Sequence, residues 1–127
     1  MAIKQLDSIG QEIFMSRYAY PGETKYSERC KAMAKHIASV EGDEEIEKYE
    51  KKFYDALSTG DLVPGGRIIY GAGRSQQNLL NCYAIEPEDS VESIGKTIQD
   101  MYRISCGGGG IGFNFSKVRP KGDDIGN

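Results

Sequence analysis

The sequence predicts an α/β chain in two parts. Residues 1–60 form a helical segment, and residues 61–127 open a strand–helix–strand arrangement with parallel strands. Three observations carry this reading. Apolar residues recur at helical spacing through the first part. "NLLNCYAIEP" is a compact apolar run of strand length, with apolar residues meant for both of its faces, as in a buried parallel sheet. "EDSVESIGKTIQDMYRIS" then reads as an amphipathic helix and is followed, after four glycines, by the strand-like "IGFNFSKV".

In the first part, Ile3, Leu6, Ile9, Ile13 and Phe14 fall at near-helical spacing, and Pro21-Gly22 ends the pattern. A second helix is expected from Thr24 to Val40, with Tyr26, Cys30, Met33, Ala34, Ile37 and Val40 on its apolar face. "EGDEE" separates it from a third, whose apolar face is Ile46, Tyr49, Phe53, Tyr54 and Leu57, with Gly60 as its C-terminal stop.

From residue 61 the character changes. "DLVPGGRIIYGAG" places two glycine-rich turns around Ile68, Ile69 and Tyr70. The helix after "NLLNCYAIEP" is capped by Asp89 or Ser90, with Asp89 and Glu92 at capping-box spacing, and Val91, Ile94, Ile98 and Met101 or Tyr102 form its stripe. Strand, helix, glycine turn, strand is one βαβ crossover. "RPKGDDIGN" is a polar tail. One crossover does not close an α/β domain, so the chain is expected to be a piece of a larger protein or to need a partner chain.

The net charge of −3 gives no basic field for duplex nucleic acid or an anionic membrane. No run approaches the ~18 apolar residues of a membrane span, and the N-terminus lacks the apolar core of a secretory signal. A cytoplasmic location is the expectation. Three cysteines, Cys30, Cys82 and Cys106, with one histidine and no CxxC, do not make a zinc site. In a reducing compartment they are free thiols, Cys30 in the core of the second helix.

"GGGGIG" at 107–112 follows a helix, whereas a phosphate loop or dinucleotide fingerprint runs strand, glycines, helix. The Walker lysine is also missing. A helix C-cap needs one glycine. Four in a row favour a backbone surface that approaches a ligand closely and offers N–H groups to it.

Taken together, "VPGGRIIYGAG", "NLLNCYAIEPEDSVESI" and "MYRISCGGGGIGFNFSKVRPKGDDI" resemble the catalytic subunit of ribonucleotide reductase, most closely its adenosylcobalamin-dependent, class II branch. The resemblance covers residues 61–127 and extends to the helical segment before them. It rests on the joint order and distances of the cysteine strand, the acidic helix start seven residues on, and the glycine-to-"GFNFSKVRPKG" segment. It implies a ten-stranded α/β barrel, begun here, behind a helical N-terminal domain. It implies that Cys82 is the first redox cysteine, that Asn81 lines the substrate, and that Gly108, Gly109 and Gly110 form a backbone turn beside it. Asp89 and Ser90 match the position that contacts the sugar of a deoxynucleotide effector, and Arg119 a basic residue of the first effector loop. Cys106 receives no role. The implied partners are a ribonucleotide substrate, a deoxynucleotide effector, a thioredoxin-type reductant and the C-terminal remainder of the reductase. No ligand residue for the cobalamin is identified in this chain. The radical-forming cysteine, the second redox cysteine and the carboxylate between them lie downstream in the family. The isolated chain is therefore expected not to turn over. A stand-alone nucleotide-binding or regulatory module, and a purely structural interaction fragment, are the competing readings.

Overall fold

A computed structural model of the protein describes residues 3–75 and 78–124; the last three residues of the polar tail lie outside them. The chain divides into two compact units, Met1–Leu79 and Leu80–Asn127.

The first unit is helical: α1 (Ser8–Arg17), α2 (Tyr26–Ala38), α3 (Ile46–Thr59) and the short α4 (Gly66–Gly71). Each boundary has a local cause. Asp7 caps α1, its carboxylate accepting the Gly10 N–H at 2.7 Å. Glu28 reaches back from the first turn of α2 to accept the N–H groups of Thr24 (2.6 Å) and Lys25 (2.9 Å), and these bonds hold its carboxyl below the usual range. Gly60 ends α3 in the left-handed region at φ 82°, the stop expected of it.

The core lies between α2 and α3. Cys30, Met33 and Ala34 from α2 meet Leu57 from α3 and Ala72 after α4, with Tyr26, Phe53, Tyr54, Ile68, Ile69 and Leu79 packed around them. Burying Met33 and Leu57 contributes about 1.5–3 kcal/mol each. Two expected faces differ. Along α1 only Phe14 is buried, while Ile9 and Ile13 are exposed, because among the described residues of this unit nothing covers their side of the helix. Val40 is 84% exposed, since α2 ends before it.

Ile68, Ile69, Ala72 and Leu79, all beyond residue 61, pack with these helices. Ile68, Ile69 and Tyr70, flanked by glycine turns in the sequence, lie in α4. Arg29, 2% exposed, donates to the Ala72 carbonyl oxygen and to Glu23 (3.3 Å). Arg74 donates to the carbonyl oxygens of Tyr18 (2.8 Å) and Ala19 (3.3 Å) and stacks 3.8 Å from the Tyr70 ring centre. Two arginines thus tie the 72–74 turn to α2 and to the end of α1.

Cys30 is fully buried, and burial pushes its thiol up to about 11. Of the three free cysteines, Cys82 and Cys106 are exposed and are expected to react promptly with an aromatic disulfide reagent, Cys30 only on unfolding. The folded thiol is protonated where the unfolded one, near its ordinary value of 9, is already ionising. Stability from this residue is therefore complete below pH 9 and falls as pH rises to about 11. Tyr26, pushed by burial to about 12, extends the loss upward. Cys30→Ala is expected to cost about 1 kcal/mol and to remove the lower part of the alkaline loss, read from thermal melts across pH.

The second unit is one βαβ piece: β1 (Cys82–Ile85), α5 (Val91–Cys106) and β2 (Gly110–Phe113). The strands are parallel, with Cys82 opposite Gly110, Tyr83 opposite Ile111, Ala84 opposite Gly112 and Ile85 opposite Phe113. The expectation of a strand buried on both faces is corrected. Along β1 exposed and half-buried residues alternate, because α5 covers one face and, among the described residues of this unit, no element covers the other. The α5 stripe is likewise not buried. Ile94, Ile98 and Met101 instead line an apolar hollow of about 290 Å³ with Phe113, Phe115 and Val118.

Candidate functional site

The glycine run is built from the helix end outward. Gly107 caps α5, Gly108 turns left-handed at φ 77°, and the chain enters β2 at Gly110. The Gly108 N–H donates to the Ser105 carbonyl (2.9 Å) and the Gly109 N–H to the Ile104 carbonyl (3.0 Å), the two bonds of a Schellman motif. The Gly107 N–H donates to Arg103 (3.0 Å) and the Gly110 N–H to Asn81 (2.8 Å). All four amides are thus spent on backbone carbonyls, and the N–H groups expected to face a ligand face the protein itself.

The glycines answer to different neighbours. A Cβ at Gly109 would stand 2.7 Å from Ile104 Cγ2 and 2.8 Å from Tyr83 Cε2. A Cβ at Gly110 would meet only ordinary contacts, the Asn81 carbonyl oxygen at 3.5 Å and Cys82 Sγ at 3.9 Å.

These neighbours also fix the two faces of the ladder. Tyr83 meets Ile104 of α5 around Gly109, so Tyr83 and Ile85 point to the helix side. By strand alternation Cys82 and Ala84 point to the other. Their register partners there are Gly110 and Gly112. The thiol of Cys82 therefore lies on a face whose other residues are alanine and glycine, at the amino end of its strand beside Asn81. Cys106, the other exposed thiol, is the last residue of α5 and not part of the ladder.

At the carboxyl ends of the strands, Ser90 is the N-cap of α5, its hydroxyl accepting the Ser93 N–H at 3.1 Å. The Ser93 hydroxyl in turn accepts the Glu88 N–H at 2.9 Å. Asp89 takes no part in the cap. Its carboxylate accepts the Arg119 Nε–H at 2.7 Å, with both side chains about a third exposed.

The five glycine and strand-start positions thus gather at one end of the ladder, Asn81, Cys82 and Gly108–Gly110 together, and Asp89, Ser90 and Arg119 gather at the other. What the sequence did not single out is a further set beside Arg119: Glu86, Glu88, Asn114 and Lys117. Their partners lie 28 and 29 residues apart, beyond the reach of local spacing.

Among the described residues no three His, Cys, Asp or Glu side chains group as metal ligands, and no helix is long and apolar enough to cross a membrane.

Two family descriptions match, end to end along the chain. Residues 4–77, more than half of it, match "Ribonucleotide reductase, all-alpha domain", and residues 80–127 match "Ribonucleotide reductase, barrel domain". A vitamin B12-dependent ribonucleoside-diphosphate reductase of Thermoplasma acidophilum is 36% identical over 78 residues, 61% of this chain and 10% of that protein. A ribonucleoside-diphosphate reductase subunit alpha of Synechocystis is 30% identical over 116 residues, 91% of this chain and 15% of that protein. A vitamin B12-dependent reductase of Mycobacterium tuberculosis is 28% identical over 78 residues, again 61% of this chain, and 11% of that protein. The chain spans between a tenth and a sixth of these relatives. With helices matched to the family's all-alpha domain and the parallel βαβ unit to its barrel, the chain belongs to the ribonucleotide reductase family.

Proposed function

We propose that this chain supplies the N-terminal part of a reductase that converts ribonucleotides to deoxyribonucleotides, and that Cys82 is one of its two electron-donating thiols. The observation that carries this is the placement of Cys82: an exposed thiol opposite Gly110, on a face of small residues turned away from α5. A sugar ring can approach such a thiol because no side chain at 84, 110 or 112 is large enough to hold it off. Asn81 stands beside the thiol as a substrate-lining residue, and the turn Gly108–Gly110 supplies the floor.

The reaction removes the ribose 2′-hydroxyl as water. Its two electrons come from two thiols, which end as a disulfide that an external dithiol of thioredoxin type reduces again. Cys82 is one thiol of the pair; the second, and the cysteine that carries the radical, belong to the rest of the barrel. The vitamin B12-dependent relatives support an adenosylcobalamin-dependent enzyme, in which the cofactor supplies the radical. No step is assigned between that cofactor and a residue of this chain.

Asp89, Ser90 and Arg119 are proposed to receive a deoxynucleotide effector. The Asp89–Arg119 pair supports this, because a carboxylate and a guanidinium already face each other where a sugar hydroxyl and a phosphate need an acceptor and a donor.

The test joins the chain to the remaining barrel of a B12-dependent relative and measures deoxyribonucleotide formation with adenosylcobalamin and a dithiol. Activity is expected of the joined protein and not of the chain alone. Failure of a folded, joined protein to form any deoxyribonucleotide overturns the reading. In the same protein, Ser90→Ala should lower stability by about 1 kcal/mol through loss of the cap. Asp89→Ala should leave the cap intact and alter the response to deoxynucleotides while basal reduction survives. An unaltered response removes Asp89 from the effector site.

A further inference from the structure

Beyond the two strands, the loops that leave them carry an ordered set of opposite partners. Outward from β1 the acceptors are the Ile85 carbonyl, Glu86, Glu88 and Asp89. Outward from β2 the donors are Asn114, Lys117 and Arg119. The Asn114 N–H donates to Ile85 (3.0 Å), and its Nδ2 donates to Glu86 Oε1 (2.7 Å). Lys117 Nζ lies 3.2 Å from Glu86 Oε2 and 2.5 Å from Glu88 Oε1. Arg119 Nε then meets Asp89 at 2.7 Å. The order agrees on both sides because parallel strands release both loops in the same direction. Asn114 Oδ1 accepts from Ser116 N (3.1 Å) and Oγ (2.6 Å), and the Val118 N–H donates to Phe115 (3.0 Å), which folds the loop between the rungs.

A lone exposed ion pair contributes little. Here, however, one ammonium bridges two carboxylates, and one carboxylate spends both oxygens on the loop. The contacts with Glu88 and Glu86 raise the Lys117 ammonium above its ordinary range. We infer that Lys117 and Glu86 are positioning residues: they lock the 114–119 loop onto the exit of β1 and so fix where Arg119 stands beside Asp89. The lock is independent of any ligand; its use in effector binding rests on the function proposed above.

Amide hydrogen exchange on the whole chain tests it. Lys117→Met is expected to speed exchange of the Asn114 and Val118 amides roughly three- to tenfold, with the amides of α2 and α3 unchanged as the check on folding. Lys117→Arg is expected to restore the slow rates. Raising salt to about 1 M, where the screening length falls to about 3 Å, should bring the unaltered chain toward the Met variant and leave that variant where it was. Unchanged exchange in Lys117→Met, or no restoration by Lys117→Arg, overturns the inference. Titration with dTTP separates the two ideas. Weaker binding by Lys117→Met extends the lock to the effector site. Faster exchange without dTTP binding by any form supports the lock and removes the effector reading.

Discussion

Cys82→Ser, in a reductase assembled on this segment, is expected to confine the enzyme to at most one turnover per active site. The substitution keeps the size of the side chain, and Cys82 is exposed, so stability should change by only ~0.5 kcal/mol. What disappears is the ability to form a disulfide. A serine hydroxyl cannot be oxidised to one, so the electrons of its partner thiol have no route out and no external dithiol can reset the site. Rapid-quench and steady-state measurements of deoxyribonucleotide, taken together with a melting curve, check this. Sustained multiple turnover by a well-folded Cys82→Ser enzyme would return Cys82 to a packing role. Cys30→Ser is the contrasting case, because it places a hydroxyl in a site with no exposure and should act on stability alone.

The second large effect is expected in the glycine run, and it splits by position. Gly109→Val should destabilise the βαβ unit by about 1–3 kcal/mol, because even the first carbon of the new side chain falls 2.7 Å from Ile104 and 2.8 Å from Tyr83. Neither neighbour yields easily: one is a β-branched side chain on a helix, the other the ring of a strand residue. Gly108→Ala should cost about 1 kcal/mol for another reason, the positive φ of its backbone. Gly110→Ala has room and an ordinary φ, so it should melt like the parent. Yet it sets a methyl beside the Cys82 thiol, and in the assembled enzyme substrate binding should suffer. Melting temperature and KM measured on the three variants distinguish these outcomes. Equal melting losses at 109 and 110 would contradict the packing described here.

Much of the first unit was legible because its signals are local. Helical spacing found α2 and α3, and Gly60 ends α3 where short-range chemistry permits. The α4 segment was less legible, since six residues give too little periodicity to tell a helix turn from an apolar run. Its attachment to the helices depends on Arg29 and Arg74, whose carbonyl partners lie 43 and 56 residues away. At the site, the family pattern singled out Cys82 and the loops as candidates, and strand alternation explains why that thiol is open. Two assignments needed coordinates. Asp89 has capping-box spacing with Glu92, but its reach is taken by Arg119, and Ser90 caps instead. The Glu86–Lys117 rungs pair segments about thirty residues apart, which no window on the sequence joins.

Runs of glycine are commonly equated with hinges. In this chain the run from 107 to 110 is the opposite, a joint with no play. Three residues complete the end of α5 and the fourth is already the first residue of β2, each amide held by a named carbonyl. The three residues between helix and strand are all taken up by the closing turn of the helix. A push on α5 must therefore either carry Gly110 with it, past the sulfur on the neighbouring strand, or break one of four hydrogen bonds. Glycine here gives the chain room to turn sharply while leaving the turn stiff.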